Sequence, residues 1–245
     1  MAIEQSTEIK FLVSSGEEIS LMSALGVFTP NATTNLLIDA VKSTFDEPVQ
    51  VLDLGCGTGV VGIALHLQGL VKLPVHASDL SKPAVVCSGL NFERYKCPAE
   101  VREGSLFEPW LDKKFEVIVD DISGIAKSVA EISPWFQGVP CETGDDGVDL
   151  VVEIIRKASQ HLEEGGHFFF PVLSLSNVDR IIEVANESFG SVERVGRQDW
   201  PLPAELKEHI PLLRKLKEEG SIKLEERFGM VLCYTEVYCA KKPLK

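Results

Sequence analysis

One turn constrains this chain more than any other feature. Asp53-Leu54-Gly55-Cys56-Gly57-Thr58-Gly59 follows the apolar run VQVLDL (49–54) and leads directly into a second apolar run from Val60. Three glycines at alternate positions let the backbone reverse sharply and bring bare main chain against a ligand. The first amides of the helix that follows point at the same place. The spacing is not G-x-G-x-x-G, and no Gly-Lys-Ser/Thr follows to make a P-loop. A buried strand that stops in such a turn and resumes as a helix is the opening of a βαβ unit, which calls for a parallel sheet.

The rest of the sequence keeps that alternation. Strands are expected at 49–54, 75–80, 99–102, 115–120, 167–173, 192–197 and 231–240. Helices are expected at 60–67, 83–94, 148–161 and 177–188, with Ser81 capping the second and Pro83 in its first turn. Gly165 and Gly166 read as the stop before the fifth strand. Residues 1–47 precede the first core strand and read as a lead-in or cap segment. Residues 48–245 read as one domain with a helical insertion at 201–228. A loop leaving the sixth strand emerges at the carboxyl edge, where α/β sheets bind ligands, so 201–228 and 1–30 are both expected as lids over that edge.

Composition narrows the function. Twenty-four basic against 37 acidic residues give a net charge of −13, a field that repels phosphate backbones, so no nucleic-acid partner is expected. The six cysteines contain no CxxC pair, and the five histidines have no ligand spacing, so no metal site is expected. The acidic start MAIEQSTEIKFLV is not a signal peptide, and no apolar run reaches the roughly 20 residues of a membrane span, so a cytoplasmic location is expected. Asp79 ends the second strand 20 residues after Gly59. A carboxylate there can accept both ribose hydroxyls of an adenosine, with Leu80 against the adenine face.

These residues resemble the class I S-adenosylmethionine (SAM)-dependent methyltransferases, and more closely the HemK group and the related "methyltransferase small" proteins. Pro30-Asn31-Ala32-Thr33-Thr34-Asn35 resembles that group's P-R-P-D/E-T-E segment. DLGCGTGVVGIAL (53–65) fits its SAM loop, DLS (79–81) its ribose motif, and CETGDDGVDL (141–150) its GG-x-DGL segment. The resemblance spans about residues 26–185. It implies a doubly wound, Rossmann-like α/β fold with a seven-stranded sheet, mostly parallel with the last strand antiparallel. It implies SAM as cofactor, bound by Thr34, Asp53, Gly55, Cys56, Gly57, Gly59, Asp79, Leu80, Ser105 and Leu106.

The chain departs from the group at the chemistry. Where HemK proteins have N-P-P-Y after the fourth strand, this sequence has Asp121-Ile122-Ser123-Gly124, so glutamine methylation of release factors is not expected. Asp121 takes the asparagine's place as acceptor or base, with Asp120 beside it as the second catalytic candidate. Ser123 and Trp135, on a long loop (122–147), are candidates for the substrate pocket. The expected function is methyl transfer at N or O, to a small molecule in preference to a macromolecule, or to a protein side chain. Two alternatives are attack on another carbon of SAM, by a methylthioadenosine-releasing transferase or a cyclase, and a non-catalytic SAM-binding subunit.

Overall fold

The computed structural model describes residues 6–133 and 143–243. In chain order, β1 (Thr7–Leu12) and β2 (Glu18–Ser23) precede α1 (Ala32–Thr44). Then come β3 (Val51–Leu54), α2 (Val60–Leu67), β4 (Val75–Asp79), α3 (Lys82–Arg94), β5 (Ala99–Glu103) and β6 (Phe115–Asp120). The second half holds α4 (Lys127–Ala130), α5 (Asp149–Ala158), β7 (Leu162–Leu173), α6 (Val178–Ser188) and β8 (Ser191–Pro201). It closes with α7 (Ala204–Lys207), α8 (Ile210–Glu218), β9 (Glu225–Arg227) and β10 (Met230–Lys241).

The central sheet runs β5-β4-β3-β6-β7-β10-β8, with β9 paired to β10 outside that path. The strands from β5 to β7 are parallel to their neighbours. Strand β10 is antiparallel to both β7 and β8, between which it lies. This is the doubly wound sheet of seven strands, with the short β9 added. All four residues of β3 are buried, the mark of a strand covered on both faces. One face packs against α1, α2 and Phe92 of α3. The other packs against α5 and α6.

Two features differ from the sequence reading. Gly165 and Gly166 do not stop the chain; they lie inside β7. Phe115 pairs with Leu162 but Val117 with His167, so two steps along β6 face five along β7. The surplus is taken up in a bulge, and Gly165 at φ +75° supplies the left-handed backbone it needs. The lead-in, in turn, is not irregular: β1 and β2 form a separate antiparallel hairpin. Its Phe11, Ile19 and Leu21 join the same core as Val60, Val61, Ile63, Ala64 and Leu65. Helix α2 is apolar almost all round, so the sheet alone cannot bury it, and the hairpin covers the remaining side.

The insertion leaves the carboxyl end of β8 and packs at that edge. Leu202, Leu206, Leu213, Leu216, Ile222 and Leu224 share a small core with Ile125, Ala126 and Val129, just after β6, and with Leu173 at the end of β7 and Leu175 beyond it. It therefore clamps the chain that follows Asp121. Leu213→Ala should cost about 2–5 kcal/mol in urea denaturation. It should also deprotect the amides of Ala126–Ala130 in hydrogen exchange. Unchanged protection there would show that the insertion and this loop do not support each other.

Candidate cofactor and active site

The glycine turn is shaped by its neighbours. Gly55, Gly57 and Gly59 all have left-handed backbone, at φ +66°, +51° and +78°. A side chain at Gly55 would place its Cβ 2.5 Å from the Cγ1 of Ile122, so β6's exit and this turn meet with only hydrogen between them. The Cys56 amide donates to the Ser78 carbonyl at 3.0 Å, and the Gly57 amide to Asp79 Oδ2 at 2.9 Å. Asp79 Oδ1 accepts from the Ser81 amide at 2.8 Å. Ser81 caps α3 through Ala84, as expected.

A cleft of about 240 Å³ opens over this turn at the carboxyl edge. Asp53, Gly55, Cys56, Gly57, Asp79, Leu80, Ser105, Leu106, Asp121 and Ser123 line it. Leu80 is 73% exposed in its wall, an apolar side chain offered to a flat apolar ligand. Leu106 holds left-handed backbone at φ +48°, a costly conformation for leucine, in a loop whose Gly104 amide is tied to the Asp79 carbonyl at 3.0 Å.

Three expected residues do not line the cleft. Gly59 serves as the N-cap of α2. Thr34 is fully buried and turns its hydroxyl to Asp121 Oδ2 at 2.6 Å, while accepting from the Asn31 amide at 3.2 Å in a capping box that starts α1. Asp120 is fully buried and accepts from the Ile122 amide at 3.0 Å, and its Oδ2 has no hydrogen-bond partner among the described residues. Trp135 lies outside the described residues. The sequence reading missed Phe28, Pro30, Ile122 and Leu150, which also line the cleft, as do Leu54, Thr58, Val60, Val61, Ser78 and Gly104. Pro30 and Leu150 sit inside segments already singled out, so their motifs were the available signal. Phe28 had none beyond adjacency to Pro30. No described residue of 201–228 lines the cleft, so the insertion supports its rim from behind instead of closing it as a lid.

The electrostatics are one-sided. No lysine or arginine is among the described lining residues. Burial pushes Asp53 up to about 8, against the pull of the Gly62 amide that donates to it, with Asp121 and Asp79 raising it further. Burial pushes Asp121 up to about 7, opposed by the Thr34 hydroxyl. Asp120 is raised well above the carboxylate range by burial, with Asp121 and Asp53 adding to the effect. A cluster of acids with no cation of its own fits a positively charged ligand, and the exposed Leu80 with the Asp79 carboxylate fits a nucleoside. SAM carries both.

Comparison with known proteins agrees. Residues 18–121 match the family "Methyltransferase small domain". A release factor glutamine methyltransferase from Gloeobacter violaceus is 26% identical over 210 residues, covering 81% of this chain and 72% of that protein. A ribosomal RNA small subunit methyltransferase C from Pasteurella multocida is 28% identical over 151 residues, covering 61% of this chain and 40% of its own. Among solved structures, a T. thermophilus 16S rRNA methyltransferase in complex with AdoMet and guanosine superposes with a TM-score of 0.64 at 18% identity, covering 98% of this chain and 51% of that one. The chain thus spans about half or less of two of these three relatives. The expectation of a small-molecule substrate and no nucleic acid does not stand: these relatives are named for a protein and for ribosomal RNA. Net charge misled because it averages over a surface of which a substrate touches only a part.

Acids whose folded pKa lies above the unfolded value stabilise the protein fully only below the ordinary aspartate pKa of about 4, and that contribution is lost as pH rises through about 7 to 8. The ligand-free protein should therefore melt at lower temperature as pH rises across that window, and Asp53→Asn should flatten the dependence in a thermal-shift pH series. An Asp53→Asn profile parallel to wild type would refute the assignment. The glycine turn, the acid at the end of β4, the sheet order and the match of residues 18–121 to the methyltransferase small domain make this chain similar to the class I SAM-dependent methyltransferases.

Proposed function

We propose that this protein transfers the methyl group of SAM to a nitrogen of a macromolecule, in the first place a protein side chain, with Asp121 as the base. The observation that supports this best is the Asp121 carboxyl, which lines the cleft, is fixed by Thr34 and is pushed up to about 7. A base works best with a pKa near the working pH. SAM supplies a methyl group already activated on a sulfonium sulfur, so the protein is asked for alignment, dehydration and a proton acceptor.

The residues divide those tasks. Asp79 and Leu80 take the ribose and adenine, assisted by the backbone at Ser105 and Leu106. Gly55, Cys56 and Gly57 bring main chain against the amino-acid end of the cofactor, and Asp53 supports them through its bond to the Gly62 amide. Asp121 accepts the proton that the nucleophilic nitrogen loses, and Ile122 and Ser123 form the wall on the substrate side. An acidic cleft favours a nitrogen that arrives as a cation, which a side-chain amine does and a glutamine amide does not. Phe28, Pro30 and Leu150 add apolar wall to the cleft.

A second reading, methylation of a ribosomal RNA base, is favoured by the match to the T. thermophilus rRNA enzyme over 98% of this chain. Methyl-labelled SAM incubated with cell extract and the purified protein separates the two: protease-sensitive label supports the first, nuclease-sensitive label the second. Methylthioadenosine in place of S-adenosylhomocysteine would refute methyl transfer altogether.

Asp121→Asn keeps the shape and removes the base. It should lower kcat on the order of 10²–10⁴-fold while leaving SAM affinity within a few-fold of wild type by calorimetry. In wild type, kcat/KM should rise with pH through about 7, because the ionised form of Asp121 is the active one. That limb should vanish in Asp121→Asn. A variant that retains both rate and limb would assign the proton transfer elsewhere.

A further inference from the structure

The N-terminal hairpin belongs to no sheet of the main domain, yet it is held with unusual completeness. Strand β2 has one edge on β1 and the other against α3. There the side chains of α3 stand in for a neighbouring strand. The Ser20 amide donates to Tyr95 Oη at 2.7 Å, and that hydroxyl donates back to the Ser20 carbonyl at 3.2 Å. One turn earlier, the Met22 amide donates to Asn91 Oδ1 at 2.7 Å, and Asn91 Nδ2 donates to the Met22 carbonyl at 2.9 Å.

Asn91 does one thing more. Its Nδ2 also donates to the Thr58 carbonyl at 2.9 Å, and the side chain is fully buried. Thr58 lies between Gly57 and Gly59, two residues with left-handed backbone and little resistance to rotation. The peptide from Thr58 to Gly59 could turn over at small cost if nothing held it. Its two ends are held: the Gly59 amide donates to the Cys56 carbonyl at 2.6 Å, and the Thr58 oxygen is held by Asn91. A turned peptide would break both bonds and reshape the turn at Thr58, which lines the cleft. The hairpin reaches the same place by its exit, since the Phe28 carbonyl lies 3.7 Å from where a Gly57 Cβ would stand.

We propose that Asn91 is a positioning residue of the SAM site, which locks the 58–59 peptide of the glycine turn and couples it to the N-terminal hairpin. The proposal rests on the reading of this cleft as the SAM site. It assigns the hairpin a part in cofactor binding, through Asn91 and Phe28, and not only a part in covering α2. Asn91 is absent from the lining and acts through Thr58, which lines the cleft.

The test compares Asn91 with Tyr95, which holds the same strand but not the glycine turn. Asn91→Asp keeps the acceptor for Met22 and removes the donors to Met22 and Thr58; Asn91→Ser removes the reach without adding charge and serves where the aspartate does not fold. Tyr95→Phe loses the two bonds to Ser20 and leaves Thr58 held. Each is measured by calorimetry with SAM, and by hydrogen exchange at the β2 amides. The expected result is a loss of SAM affinity of about tenfold for the Asn91 variants, the scale of one or two hydrogen bonds. Tyr95→Phe should stay within twofold of wild type despite loosened β2 amides. Equal losses of affinity in both, in step with β2 exchange, would overturn the proposal by making Asn91 a hairpin tie alone. Unchanged affinity in the Asn91 variants would overturn it as well. Wild type that fails to bind SAM at all would instead overturn the cofactor reading on which it rests.

Discussion

Everything at the carboxyl edge is organised around a close approach that tolerates no side chain. Ile122, just beyond β6, occupies the space a Cβ on Gly55 would need. Strands β3 and β6 pair in parallel with Leu54 opposite Asp120, so Gly55 and Ile122 meet just beyond the ladder and Asp121 lines the same cleft as Asp53. Burial at this edge is what raises Asp53 and Asp121 above the ordinary carboxylate range, with Asp121 and Asp79 adding to the effect on Asp53.

Much of the architecture was legible in the sequence because the βαβ alternation is written in apolar runs. Helix α2 begins and ends where the reading placed it, at Val60 and Leu67, and β6 runs over Phe115–Asp120 as read. Asp79 was legible for the same reason, as an acid at a predictable strand end. The hairpin was not. Its signal is indirect, residing in α2: an all-round apolar helix on one side of a sheet demands a cover, and Phe11, Ile19 and Leu21 are that cover. Thr34 was found for the wrong contact. A motif tells which residue recurs, but only the fold shows that its hydroxyl goes to Asp121 and not into the cleft.

The loop after Asp121 shows how the same mechanical need is met by different means. The HemK group stiffens this segment with consecutive prolines, which this chain lacks. Here the 202–224 insertion does so by burial, holding Ile125, Ala126 and Val129. The Ala126 amide is tied to the Leu175 carbonyl at 2.9 Å, and Lys127 to the Gly144 carbonyl at 3.2 Å. Stiffness built from side-chain packing depends on the whole insertion, whereas stiffness built from proline is local. This chain has therefore made the loop after Asp121 depend on residues more than 70 positions away.

The hairpin carries a further consequence, for how the molecule comes to be assembled. The pair β1 and β2 has its docking surface on α2 and α3, both later in the chain, and its tie to Asn91 spans 69 positions. Until those helices exist, Phe11, Ile19 and Leu21 have nothing to cover, and a two-stranded hairpin is barely stable by itself in water. The newborn chain thus trails an uncommitted sticky end through much of its synthesis, a period in which it is open to wrong partners. Docking of the hairpin has to wait for α2 and α3, and the Phe28 and Pro30 wall of the cleft, which follows the hairpin in the chain, waits with it.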